Sequence, residues 1–121
     1  MAMSCVITEE KISHINKIKF EWVSAADETA SGTTANIYSG EIIRLVTIPA
    51  ADAAAPTDNY SVVVNDEDLT DVLMGAGANR DATATEQVLG SSLGCVANDR
   101  LSLAISNAGD TKGSTVIVYI K

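Results

Sequence analysis

Thr115-Val116-Ile117-Val118-Tyr119-Ile120-Lys121 decides how this chain folds. Val116, Val118 and Ile120 alternate with Thr115, Ile117, Tyr119 and Lys121 at a period of two, the pattern of a strand with one buried face. Val116, Val118 and Ile120 are expected to point inward. Upstream, Arg100-Leu101-Ser102-Leu103-Ala104-Ile105 repeats the pattern, with Leu101, Leu103 and Ile105 on one face. The Gly/Asn/Asp-rich segment Ser106 to Gly113 lies between them, so the two runs read as the arms of a hairpin.

Working outward, Lys11 to Val23 sets Ile12, His14, Ile18, Phe20 and Trp22 on one parity and Lys17, Lys19 and Glu21 on the other. This reads as one half-buried strand with a wet face. Ser24 to Thr34 is small and polar and reads as a loop. Glu41 to Ile48 is dense in β-branched residues and stops at Pro49, which suits a strand. Ala50 to Asn59 is a connection, Tyr60 to Val64 a strand, and Asn65-Asp66-Glu67-Asp68 an Asx-rich turn. Leu69 to Met74 is either a returning hairpin arm or one helical turn, and Gly75 to Asn79 ends it. Arg80 to Asn98 is the least readable segment, with Asp81 to Leu89 open to a short helix or an irregular strand. Five clear strands and two or three doubtful ones predict an all-β fold. The expected form is an antiparallel β-sandwich or jelly-roll-like barrel in a single domain. The domain is expected over 11–121, with 1–10 as an N-terminal arm. Val6 and Ile7 of the arm are expected to fray or dock on their own sheet, with reach to a neighbouring subunit as the alternative.

The core has to be aliphatic, because the chain of 121 residues holds one Phe, one Trp and three Tyr. Sixteen acidic against eight basic residues leave a formal charge of −8, which opposes binding to phosphate backbones. Nucleic acid is therefore not an expected partner. No run approaches the roughly 18 apolar residues of a membrane span, and no membrane partner is expected. The first ten residues lack a basic start and a long apolar stretch, so synthesis in the cytoplasm is expected. Cys5 and Cys95 fall outside any Cys-x-x-Cys spacing and are expected as free, partly buried thiols, a bridge between them being the alternative.

Chemistry is sparsely provided. His14 is the only histidine, and a structural, hydrogen-bonded role on its strand face is expected. A zinc site would need Cys5, Cys95, His14 and a carboxylate to converge, which their spacing does not suggest. No Gly-x-Ser-x-Gly occurs, and any serine triad would have His14 as its only base. Asn65 to Asp71 has calcium-like oxygen density but no EF-hand framework, so a solvated turn is expected. Gly75-Ala76-Gly77-Ala78-Asn79 lacks the third glycine of a dinucleotide site and the Lys of a P-loop, and reads as a turn. The expectation is a non-enzymatic protein with no catalytic residue, no cofactor and no metal. A carbohydrate-binding or hydrolytic β-sandwich is the rival from another class.

Ser39-Gly-Glu-Ile-Ile-Arg-Leu-Val-Thr-Ile-Pro49, Ala55-Pro-Thr-Asp-Asn-Tyr-Ser-Val-Val-Val64, Asp71-Val-Leu, Gly75-Ala-Gly-Ala-Asn79 and the closing Ser106 to Lys121 together resemble small structural proteins of tailed bacteriophages. The resemblance runs from about Phe20 onward and is made of turn and strand signatures. It departs at Asn65-Asp-Glu-Asp, where a shorter, glycine-containing turn is usual. What it implies is a virion component, a decoration or cement protein on the capsid exterior, bound to the major capsid protein and assembled as a homotrimer. A neck, tail or host-adhesion component is the alternative within the virion.

Overall fold

A computed structural model describes residues 2–121. The fold is all-β, one small domain of nine strands: β1 Ser4–Ile12, β2 Ile15–Val23, β3 Ala30–Thr33, β4 Tyr38–Pro49, β5 Ser61–Asn65, β6 Glu86–Leu89, β7 Cys95–Asp99, β8 Ser102–Ser106 and β9 Gly113–Ile120. Every pairing among them is antiparallel. A curled six-stranded sheet runs β1-β2-β9-β4-β6, with β7 pairing the first part of β4, and a three-stranded sheet β3-β8-β5 faces it. The inner faces make the core. Ile18, Phe20 and Trp22 of β2, Val116, Val118 and Ile120 of β9, and Ile42 and Leu45 of β4 meet Val62, Val64, Leu103 and Ile105 of the small sheet. Trp22 and Tyr60 bridge the layers, their ring centroids 5.8 Å apart and their planes tilted by 53°.

The inward faces expected of Val116, Val118 and Ile120, and of Leu101, Leu103 and Ile105, are the observed ones. The hairpin drawn between those two runs is not. β8 pairs β3 and β5 in the small sheet, whereas β9 pairs β2 and β4 in the large one. The connecting loop crosses between the layers because buried Ser24 holds it: Ser24 Oγ donates to Gly109 O at 2.5 Å and accepts from Lys112 N–H at 2.9 Å. Lys11 to Val23 is likewise two strands, not one. Ser13 and His14 form a tight turn, with Ser13 at a left-handed φ of 56°, and β1 folds back along all of β2. The turn reverses the chain, so Ile12 points outward although it shares sequence parity with inward Ile18.

β4 explains an irregular apolar pattern. Its register slips between Ile42 and Arg44, a β-bulge that turns Ile42 and Leu45 to the same face despite opposite parity. Just before the bulge, Gly40 sits at φ 141°, and a Cβ there would come within 2.5 Å of the Lys121 carbonyl oxygen. That close approach lets Glu41 and Lys121 exchange backbone hydrogen bonds of 3.1 and 2.9 Å, tying down the last residue. Segments read as loop or left unassigned hold β3, β6 and β7. Each is four or five residues long with at most one fully buried side chain, too little for alternation to appear. Leu69 to Met74 is neither a strand nor a helix. It pairs once, Asn65 with Asp71, and then runs through successive turns that bury Val72 and Leu73.

Candidate functional site: an interaction surface

The outer face of the large sheet is the side turned away from the small sheet. Its register stacks three rows: Val6-Glu21-Thr115-Ile48, Thr8-Lys19-Ile117-Val46-Gln87 and Glu10-Lys17-Tyr119-Arg44-Leu89. Val46 and Ile117 are buried there. Arg44 lies 5.3 Å and Lys17 6.0 Å from the Tyr119 ring centroid, close enough for cation–π attraction. These rows hold three of the eight basic residues and two of the sixteen acidic ones, a net of +1 that leaves −9 for the rest of the chain. On an acidic protein this face is the less acidic part, and within it Lys19 pairs with Glu21 at 3.6 Å.

One end of the face opens into a trough of about 420 Å³ walled by Val6, Val23, Ile48, Pro49 and Ala54, with Glu21 and Lys112 beside them. Val6 is 61% exposed. The start of β1, an edge strand of the sheet, meets the trough through Ser4 and Val6. The two-residue turn makes Ile12 and Ile15 a hydrogen-bonded pair, so Cys5, Ile7, Glu9 and Lys11 aim their backbone groups away from β2. Nothing adds a strand there. β3 packs across the inner side of β1, where Gly32 leaves room for the Cys5 sulfur, and burial raises the Cys5 thiol pKa. Cys95 is exposed on β7, and both thiols are free.

Glu9 fastens β1 to the loop before β4. Its carboxylate accepts from Ala35 N–H at 2.9 Å, Asn36 N–H at 3.1 Å and the Tyr38 hydroxyl at 2.6 Å. Burial alone would raise this carboxyl, but the three donors outweigh it and hold the pKa below the ordinary glutamate value. Tyr38 moves the other way, raised by burial and by donating to a carboxylate. Because the folded pKa of Glu9 lies below the unfolded one, its contribution is present above the unfolded carboxylate range and is lost as pH falls through the folded pKa. Glu9→Gln replaces one acceptor with a donor facing backbone N–H groups. It is expected to cost about 1–2 kcal/mol at neutral pH, screened by partial exposure, with the difference from wild type shrinking below about pH 4. Urea unfolding at a series of pH values measures it.

A second feature stands at the far end of the small sheet. Asp66, Asp68 and Asp99 bring carboxylate oxygens within 4.8 Å of one another. They are hard oxygen donors of the kind calcium takes, yet Asp66 Oδ1 is already engaged by Asp68 N–H at 2.9 Å and Thr70 N–H at 3.0 Å. Desolvation and the charges of Glu67, Asp66 and Asp68 raise the Asp99 pKa. The turn expected at Asn65 to Asp68 is therefore present, but as a crowded acidic tip that also carries Leu69.

His14, expected on an apolar strand face, instead sits exposed on the β1–β2 turn. It does not converge with Cys5 or Cys95, which lie in other parts of the sheet. Gly75 to Asn79 is a turn, and it lies against β5: Val62 N–H donates to Gly77 O at 2.8 Å. Sequence reading noted Lys17 and Lys19 as a wet face but missed Arg44, Tyr119 and Leu69. The one signal for Leu69 is a large aliphatic residue inside an Asx turn. Compared with known proteins, the chain matches no family model, no curated protein and no solved structure.

Proposed function

We propose that this chain is a non-enzymatic structural protein of a tailed-bacteriophage virion, a decoration or cement protein that docks on the outside of the major capsid shell as a homo-oligomer, a trimer in the form the resemblance implies. The observation that carries this reading is the free edge of β1 beside an apolar trough. An unpaired edge offers backbone donors and acceptors to an extended segment of a partner, and the trough takes the side chains of that segment. The resemblance of its turn and strand signatures to those of phage structural proteins supports the same reading. An acidic, compact domain remains soluble while it waits for an assembled shell. Binding only the assembled state stabilises that state by mass action, by about 2.7 kcal/mol per site at a hundredfold excess over Kd.

The test is co-sedimentation with expanded empty heads. Saturable binding at hundreds of copies per particle is expected, and about a dozen copies would move the protein to the neck or tail. Val6→Asp places a charge on the outward, exposed side of β1 without touching the core. It is expected to weaken head binding by tenfold or more, or about 1.4 kcal/mol, with only the small drop in melting temperature that a like charge opposite Glu21 brings. Wild-type protein that ignores heads would sink the reading.

A further inference from the structure

β1 is an edge without the usual protection. All nine of its residues pair with β2 without a bulge, none is proline, and residues 4–8 carry no charge. Edge strands are ordinarily blunted by those devices, because their unpaired N–H and C=O groups recruit another strand. Cys5, Ile7, Glu9 and Lys11 hold the unpaired groups. In antiparallel pairing with a newcomer, these four make the hydrogen-bonded pairs. Val6, Thr8 and Glu10 then make the other kind, in which Cα atoms stand about 4.5 Å apart and side chains meet most closely. Those three side chains therefore select what the edge receives.

Val6 is apolar and exposed, Thr8 is small, and Glu10 is an exposed carboxylate without a cation. Glu10 is in neither of the two ion pairs among the described residues, Lys19–Glu21 and Arg80–Glu86. Lys17 stands opposite it in β2, but the Lys17 ammonium lies over the Tyr119 ring instead, 6.0 Å from the centroid. A hollow of about 430 Å³, bordered by Glu10 with Glu9, Lys11, Asn16 and Tyr38, leaves room beside it for a long side chain. The net charge of −8 draws cations toward the chain. We infer that the segment received at β1 is extended and antiparallel, with Lys or Arg opposite Glu10, a small or β-branched residue opposite Thr8 and an aliphatic residue opposite Val6. Read along that segment, a cation is followed four residues later by an aliphatic side chain. The antiparallel direction is that of every other pairing in the fold. This rests on the reading above, in which the edge of β1 takes a partner's segment, and specifies that segment's chemistry.

The test titrates an end-blocked peptide, Ser-Lys-Ser-Thr-Ser-Ile-Ser, into the full chain, followed by calorimetry and amide exchange. Exchange is expected to slow at the N–H groups of Cys5, Ile7, Glu9 and Lys11. It is expected to stay unchanged at Val6, Thr8 and Glu10, whose N–H groups already donate to β2. Replacing the peptide's Lys with Glu, or its Ile with Asp, is expected to weaken binding about fivefold or more. Glu10→Lys alters an exposed position and reverses the preference, so that the Glu peptide binds more tightly than the Lys peptide. Binding without protection of those alternate amides would overturn the inference. So would equal affinity for the Lys and Glu peptides, tighter binding of the reversed sequence, or no saturable binding at millimolar peptide. Co-sedimentation with heads is scored separately. Heads bound by a protein that fails the peptide test sink this segment and leave the capsid reading standing; the peptide test passed by a protein that ignores heads does the reverse.

Discussion

Trp22→Ala is expected to cost about 3–5 kcal/mol, the range for deleting a fully buried large aromatic side chain. Against a typical total of roughly 5–15 kcal/mol, that leaves the fold marginal or lost. Trp22 is buried where β2 faces the small sheet, and its contact with Tyr60 is one of the places where the two layers touch. No small shift of either sheet can refill that space, because β2 is hydrogen-bonded on both sides, to β1 and to β9. Trp22→Phe is the informative contrast. The indole Nε1–H is buried with no hydrogen-bond partner, a defect that costs about 1–3 kcal/mol. Phenylalanine removes that donor and keeps an aromatic ring against Tyr60, so its net cost is expected to be about 1 kcal/mol. Trp22 is the single tryptophan, so denaturation is followed by circular dichroism.

Gly77→Ala is expected to be nearly as damaging, at roughly 2–4 kcal/mol from overpacking and a lost hydrogen bond. A Cβ at Gly77 would strike the Val62 carbonyl oxygen and lie 3.1 Å from Leu73 Cδ1. The obstacle is backbone, which cannot swing aside. Moving the turn away would break the 2.8 Å bond from Val62 N–H to Gly77 O that covers the edge of β5. Gly75→Ala is the control. It meets nothing within 4 Å and bears only the strain of φ 81°, so about 1–2 kcal/mol is expected. Urea unfolding separates the two variants, and amide exchange at Val62 should speed up in the first and not in the second.

The strands with a fully buried face were legible in the chain. Phe20 and Trp22, Leu103 and Ile105, and Val116 to Ile120 alternate because one side of each strand sits in the core. Where the core touches a strand once, as at Val96 in β7, no pattern exists to be read. A bulge hides the pattern in another way, since Ile42 and Leu45 share a face only because the register slips between them. The candidate site was less legible still. Lys17 and Lys19 were visible as one wet face, but Arg44 and Tyr119 join them only through pairings of β4 and β9 that are distant in sequence.

By itself the sequence determined that the chain is all-β and that its core is aliphatic. It also determined that its last residues form a strand with Val116, Val118 and Ile120 inward. Those properties follow from side-chain period and composition, which act locally. Tertiary structure alone decided which strands pair. Period two specifies a face but not a neighbour, so the run Thr115 to Lys121 could equally have closed a hairpin with Arg100 to Ile105. Ser24 prevents that by holding the intervening loop at the end of β2, and β9 crosses to lie between β2 and β4. That crossing also sets Tyr119 between Lys17 and Arg44 and so creates the outer face.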